Sequence, residues 1–355
     1  MKKSSQLLVV VYLVCSSLSC TFLRVIRDNV PGIEAARPEL QGEDPFPNWP
    51  YPPDKLEALL QGQRTLKTTL VGRLGGTTGA LKISVEFPDI DEAIVFKWKA
   101  MIPPRWVDAL PFAPGALDGV NNSPRKELAA FAVQSFFLDP QDYVVPLSIP
   151  VCVSLDVYRV HFPKARTTLE GSNCVLGLLS VWLLDVTIPE PLLDNDRFSR
   201  DPAYSYYMSN FNLLTYLIKH HDGRKGNFLA SKDESRPQVF AIDNGVAFGG
   251  IFYNWFVPNW NDIRVPALRR GSIDRLRNIT EEDLRRELSV VAEMRLDDQG
   301  VYRLVDDGNA LSSQRGIRIK DSTVQFGLTD DEIEDIWERI EDLIKNVDEG
   351  NIPVM

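Results

Sequence analysis

The chain has 355 residues, of which 44% are hydrophobic, 10% aromatic and 25% charged. This is an ordinary folding composition, long enough for about two structural units and outside the collagenous, low-complexity and disordered classes. Its 39 Lys and Arg against 49 Asp and Glu leave a formal charge of −10 at pH 7, which repels phosphate backbones and makes nucleic acid a poor partner. Four cysteines cannot supply a disulfide-dense framework, so apolar burial must hold the fold.

Residues 1–20 read MKKSSQLLVVVYLVCSSLSC: two lysines, a short apolar run, then small residues, the pattern of a secretory signal over 1–19. The run is well short of the ~20 apolar residues that cross a bilayer. Ser17-Leu18-Ser19-Cys20 resembles a bacterial lipobox, with Ser17 in place of the usual Leu. That resemblance implies export to a periplasmic or cell-surface location and membrane attachment through a lipidated Cys20. In an oxidising compartment Cys152 and Cys174 are able to bridge, two buried thiols in adjacent strands being the alternative. Residues 20–65 read as a tether, rich in Pro and acids from 29 to 53, where no core is expected.

From residue 66 the pattern changes. Strands are predicted over 68–73, 80–87 and 92–99, separated by the turns LGGTTG and PDID, as an antiparallel meander. Asn122-Ser123-Pro124 then supplies a cap and a proline for the helix KELAAFAVQSFF. Two further strands are predicted over 151–159 and 175–185, the second apolar throughout and therefore buried on both faces. A helix follows over 203–219, ending at HHDGRKGN, and short strands over 228–230 and 238–242 flank a KDESRP turn. The tail reads as helix only, with capping boxes at Thr280/Asp283 and Thr329/Glu332 and an apolar stripe from Ile333 to Ile344. The expected architecture is α+β: a β-rich unit over 66–185 with one main helix, a mostly α unit over 186–355, and a cleft between them.

The densest chemical signal is His220-His221-Asp222-Gly223-Arg224-Lys225-Gly226-Asn227, followed by Ile242-Asp243-Asn244-Gly245. A carboxylate five residues before an amide can set one group near an attacking hydroxyl and the other on a divalent cation, with Asp243 as second ligand. The D-x4-N spacing and the later Asp-x-Gly resemble the catalytic and metal-binding loops of the protein-kinase-like fold, in its atypical branches. DGRKGN is similar to the D-R-H-x-x-N loop of phosphatidylinositol kinases. IDNGVAFG is similar to the L-D-N-G-x-G-F segment of the secretory-pathway casein-kinase family, and HipA-type kinases share the plan.

The resemblance implies a two-lobed fold in which the β-rich N-lobe binds ATP and the C-lobe carries the metal loops. Asp222 would accept the proton of a hydroxyl on a protein, sugar or lipid. Arg224 would sit by the transferred phosphoryl group, Asn227 and Asp243 would hold Mg²⁺ or Mn²⁺, and His221 would brace the loop. In VFKWK, Lys97 and Lys99 share a strand face and either could reach phosphates. Lys97 is preferred because Phe96-Lys97 resembles the Phe-Lys pair of the casein-kinase relatives, and Glu127 is its expected ion-pair partner. Gly75, Gly76 and Thr77, in the glycine-rich turn, could lay N–H groups over phosphates. The backbone near 183–186 could meet adenine.

Rival readings remain. A kinase-like module that binds without transferring, or nucleotidyl transfer on the same fold, would use the same residues. Zinc ligation by His220 and His221 lacks further ligands, because the chain has three histidines and no cysteine pair at ligand spacing. The aromatic run FYNWFVPNW reads as packing before recognition.

Overall fold

The computed structural model describes residues 44–61, 67–74, 80–101, 123–249, 258–305, 311 and 315–355. The signal segment with Cys20, and Gly75, Gly76 and Thr77 of the glycine turn, lie outside the described residues.

The chain enters with helix α1 (Pro53–Gln61), then builds β1 (Lys67–Arg73), β2 (Leu81–Glu86) and β3 (Ile94–Ala100). These form the expected meander, each strand antiparallel to the next. Alternate residues of β2 are buried, as one-sided sheet packing requires. Helix α2 (Pro124–Gln134) starts at the N-cap Ser123 with Pro at its first position. Strands β4 (Ser148–Ser154) and β5 (Cys174–Val181) complete a five-stranded antiparallel sheet in the order β1-β2-β3-β5-β4. Strand β5 lies in its interior and is buried along nearly its whole length. Cys152 and Cys174 are joined as a disulfide between β4 and β5.

The strand predicted over 151–159 stops at Ser154, and Leu155–His161 is a helix, α3. Val151, Val153, Leu155 and Val157 alternate as in a strand, but pairing with β5 ends at Ser154 opposite Cys174, and beyond it Asp156 in the first turn with Arg159 and His161 in the last suit the helix dipole.

A short β6 (Val186–Thr187), helices α4 (Asn195–Arg200) and α5 (Pro202–Leu217), and strands β7 (Phe228–Ser231) and β8 (Val239–Ala241) follow; β6, β7 and β8 make a second sheet. Helix α5 is buried on nearly every turn and is the centre of a helical core that includes Phe211, Phe228 and Trp260. Helices α6 (Arg270–Leu276) and α7 (Glu281–Leu288) come next, the latter opened by the Thr280/Asp283 capping box.

The tail is not helix only. Strands β9 (Ala292–Leu296), β10 (Tyr302–Val305), β11 (Ile317–Lys320) and β12 (Thr323–Phe326) form a four-stranded sheet before α8 (Asp330–Asp348). Each strand has four or five residues, several charged, which gives too short an alternation to stand out between strongly capped helices. The sheet packs against the first one through Met294, Tyr302, Val324 and Phe326, which meet Leu128, Leu176 and Leu178. In α8, Ile333, Ile336, Ile340 and Leu343 are buried, as the stripe predicts.

The predicted tether is also corrected. Residues 44–61 are folded onto the first sheet: Trp49, Leu56 and Leu60 are buried in its core. Proline-rich sequence is compatible with packing when aromatic residues supply the area to bury, here Phe46, Trp49 and Tyr51. No described helix is long and apolar enough to cross a membrane.

Candidate functional site

Between the first sheet and the β6–β8 sheet lies a cavity of about 670 Å³, within the range of small-molecule sites. Lys97 and Glu127 line it from the first sheet and α2, the stretch from Val181 to Ile188 forms its inner wall, and Gly226, Leu229, Ile242 and Asp243 close the far side.

The charged centre is built by long-range contacts. Strand β3 sends Lys97 and Lys99 to the same face, two residues apart. Lys99, the more buried, donates to the carboxylate of Glu127 and, at 2.6 Å, to Oδ1 of Asp243, while Lys97 lies 3.5 Å from the same Oδ1. The ion pair with Glu127 therefore belongs to Lys99, not to the preferred Lys97. Both lysines project from one face, so the strand pattern could not separate them. What separates them is position along β3 relative to α2, a tertiary property.

Asp243 follows β8 in the left-handed backbone region, at φ 63° and ψ 50°, a conformation that costs a non-glycine residue on the order of 1 kcal/mol. Burial alone would raise its pKa, but Lys99 and Lys97 hold the carboxyl well below its usual range. Burial would likewise lower the Lys99 pKa, and Glu127 with Asp243 reverse this and keep it charged. The second oxygen of Asp243, Oδ2, has no partner among the described residues.

A second group sits on the loop after α5. His220 is fully buried against Phe228, and burial pushes its pKa down to about 4, so its ring is neutral near pH 7. Its Nδ1 faces the Asp222 N–H at 3.4 Å. His221 Nε2 meets the Gly249 carbonyl at 3.1 Å. Gly223 donates its N–H to the Pro258 carbonyl, and a Cβ at residue 223 would come within 2.7 Å of that oxygen. Arg224 donates to both oxygens of the buried Asp222 carboxylate. Asn227 Nδ2 donates to the Asp222 carbonyl at 3.0 Å, which leaves its Oδ1 directed elsewhere.

The two groups meet through the backbone: Ile242 N–H donates to the Asn227 carbonyl at 2.8 Å, just before Asp243. Asp222 and Asp243 both act electrostatically on Arg224. Asp222, Arg224 and Asn227 stand beside the cavity rather than in its lining, next to Gly226, which does line it. Trp260 of the aromatic run packs against Phe211 and Phe228; residues 252–257 of that run lie outside the described residues.

The inner wall includes the backbone near 183–186 that the sequence singled out, and adds a contact with Asn48 that it did not reveal. The Leu184 N–H donates to the Asn48 carbonyl at 2.9 Å, and Asn48 Nδ2 donates to the Leu184 carbonyl at 2.9 Å. The Asp185 carbonyl accepts from Lys232 N–H at 2.8 Å. The carbonyl of Leu183 and the N–H of Asp185, by contrast, have no partner among the described residues. An acceptor and a donor are thus left together on two cavity-lining residues, the complement of one edge of a purine.

For a divalent cation, the oxygens at hand are Asp243 Oδ2 and Asn227 Oδ1, hard donors of the kind Mg²⁺ and Mn²⁺ take. Among the described residues no group of three or more His, Cys, Asp or Glu could hold a metal by itself. Phosphate and water would have to complete its coordination, as they commonly do for Mg²⁺. No protein-family model and no curated protein matches this chain.

Proposed function

We propose that this chain is an exported, atypical kinase-like enzyme. In this reading it has an N-lobe and a C-lobe that bind ATP between them and transfer its terminal phosphoryl group to a hydroxyl on a protein, sugar or lipid. The carrying observation is the Lys99 ammonium held between Glu127 and Asp243 at the wall of a cavity of about 670 Å³.

In this reading each group has a role. The Leu183 carbonyl and Asp185 N–H pair with the adenine edge, and Lys99 and Lys97 face phosphate oxygens. Asp243 Oδ2 and Asn227 Oδ1 hold Mg²⁺ or Mn²⁺, which would supply neutralisation of phosphate charge. Asp222 orients the acceptor hydroxyl and takes its proton as the acceptor oxygen bonds to the γ-phosphorus and ADP leaves with the former bridging oxygen. For this, Arg224 first turns from Asp222 to the γ-phosphoryl group, which frees the carboxylate to accept. Export is supported by the Cys152–Cys174 bridge, since such bonds persist chiefly in oxidising compartments.

One observation favours a second reading. Arg224 occupies both oxygens of Asp222, which suits a module that binds nucleotide without transferring phosphoryl. Nucleotidyl transfer on the same residues is the third possibility.

The test is thermal unfolding with ATP and Mn²⁺, followed by intact-mass analysis of acceptor mixtures. A shift for the wild type that Asp243→Ala abolishes, with a phosphate-sized mass increment, is expected; binding of 100 times Kd stabilises by about 2.7 kcal/mol. No shift for the wild type, or the same shift for Asp243→Ala, overturns nucleotide binding at this site. A shift without any increment leaves the binding module, and a nucleotide-sized increment identifies nucleotidyl transfer.

A further inference from the structure

The charged centre depends on α2 being held at one height over β3, and the holding contacts come from the far end of the chain. Glu127 and Arg125 are two residues apart at the start of α2, about 200° around the helix, so they leave it on opposite sides. Glu127 goes to Lys99 at the cavity. Arg125, almost fully buried, makes a two-pronged pair with Glu332 in the first turn of α8, at 2.5 and 3.0 Å, and reaches the Gly327 carbonyl at 3.3 Å. Lys126 lies 3.8 Å from the same Glu332 carboxylate.

The receiving side is shaped for this contact. Glu332 Oε2 also accepts the Thr329 N–H at 2.9 Å within the capping box of α8, so one carboxylate closes that helix and grips the other. Burial would raise the Glu332 pKa, and Arg125 keeps it below the usual range. At Gly316 a Cβ would fall 2.2 Å from the Arg125 side chain, so glycine there leaves the channel through which the arginine passes. Leu128, one residue past Glu127, is packed against the four-stranded C-terminal sheet with Val324 and Phe326. On the other flank Ser123 N–H donates to the Gly245 carbonyl at 2.8 Å, two residues beyond Asp243.

We propose that Arg125 and Glu332 are positioning residues: the C-terminal sheet and α8 clamp α2 so that Glu127 stays on Lys99, and the charged centre is assembled before any ligand arrives. The clamp belongs to the phosphotransferase reading and rests on it for its purpose, but its geometry has a readout of its own. Lysine-directed acylation of the full chain, followed by peptide mass spectrometry, reports Lys99 against the exposed Lys164 as reference.

In the wild type, Lys99 is buried, charged and poorly reactive. Arg125→Gln and Glu332→Gln each free α2 and raise the Lys99 to Lys164 labelling ratio roughly tenfold, as for about 1.4 kcal/mol of lost coupling. The double variant labels no faster than the faster single variant, the signature of a shared contact. Arg285→Gln, which removes an exposed pair with Asp330 on the same end of α8, leaves the ratio unchanged. Glu332→Gln keeps an amide that can still cap α8, so it decides the matter if Arg125→Gln unfolds.

Labelling of Lys99 at the wild-type rate in Glu332→Gln overturns the clamp, and so does a rise in Arg285→Gln as large as that in Glu332→Gln. Failure of ATP with Mn²⁺ to protect Lys97 or Lys99 in the wild type counts against the phosphotransferase reading and leaves the clamp standing.

Discussion

Two carboxylates near the cavity are held in opposite ways. Asp243 is bound by lysines some 144 residues away in sequence, with its pKa pulled down against its own burial. Asp222 is bound by an arginine two residues on, whose side chain is 59% exposed. The first arrangement exists only in the folded chain and stores its charges in place. The second is local: its arginine is rehydrated when it leaves, and the buried Asp222 carboxylate then needs another donor, which an acceptor hydroxyl can supply. Pre-organised charge at Asp243 and releasable charge at Asp222 are what a site needs if one carboxylate is to hold a ligand and the other is to act on it.

The largest expected effect comes from the fixed side. Lys99→Ala leaves Glu127 and Asp243 without their shared cation and lowers stability by about 3–5 kcal/mol in urea unfolding. Lys97→Ala, which removes only the longer contact, costs less than about 1 kcal/mol. Equal losses for the two variants would erase the distinction drawn between these lysines.

On the releasable side, Asp222→Asn is expected to lower phosphoryl transfer by roughly 10²–10⁴-fold while leaving the ATP-induced thermal shift intact. Retention of full turnover in that variant would mean that Asp222 is only a scaffold.

His220, on the Asp222 loop, feels both carboxylates and gives the comparison a pH axis. Its folded pKa, about 4 against an ordinary 6.5, means the unfolded chain binds the proton first on acidification. The stabilisation from the neutral ring is therefore complete above pH 6.5 and lost as pH falls towards 4, on the order of 3 kcal/mol. Melting curves across that window should show a shallower decline in His220→Asn than in the wild type. Parallel curves would remove His220 as the cause.

Much of this site is written locally in the chain. The meander, the Pro124 helix start and the buried β5 follow from alternation, caps and continuous apolar runs, each visible within about ten residues. DGRKGN and IDNG are likewise contiguous, and the structure brings their loops together through the pairing of β7 with β8. What was illegible depends on distance. The choice of Lys99 over Lys97 is made by where α2 lies, and Asn48 finds the backbone of Leu184 across 136 residues. The strands β9 to β12 carry their signal in two hairpins, around Gly300 and Asp321, both with positive φ; their short, charged strands gave alternation too brief to compete with the helix caps on either side.

The strap formed by residues 44–51 has a mechanical consequence. Arg236, just before β8, donates to the carbonyls of Asp44 and Pro45 at 2.6 and 3.0 Å, and a few residues later Asn48 is stitched to the connecting strand at Leu184. Residues 44–48 are thus tied both to the approach to β8 and to the inner wall of the cavity, and separating these two would have to tear those bonds first. A chain shortened to begin after residue 51 would lose these ties, and the cavity wall at Leu184 would be left without its Asn48 partner.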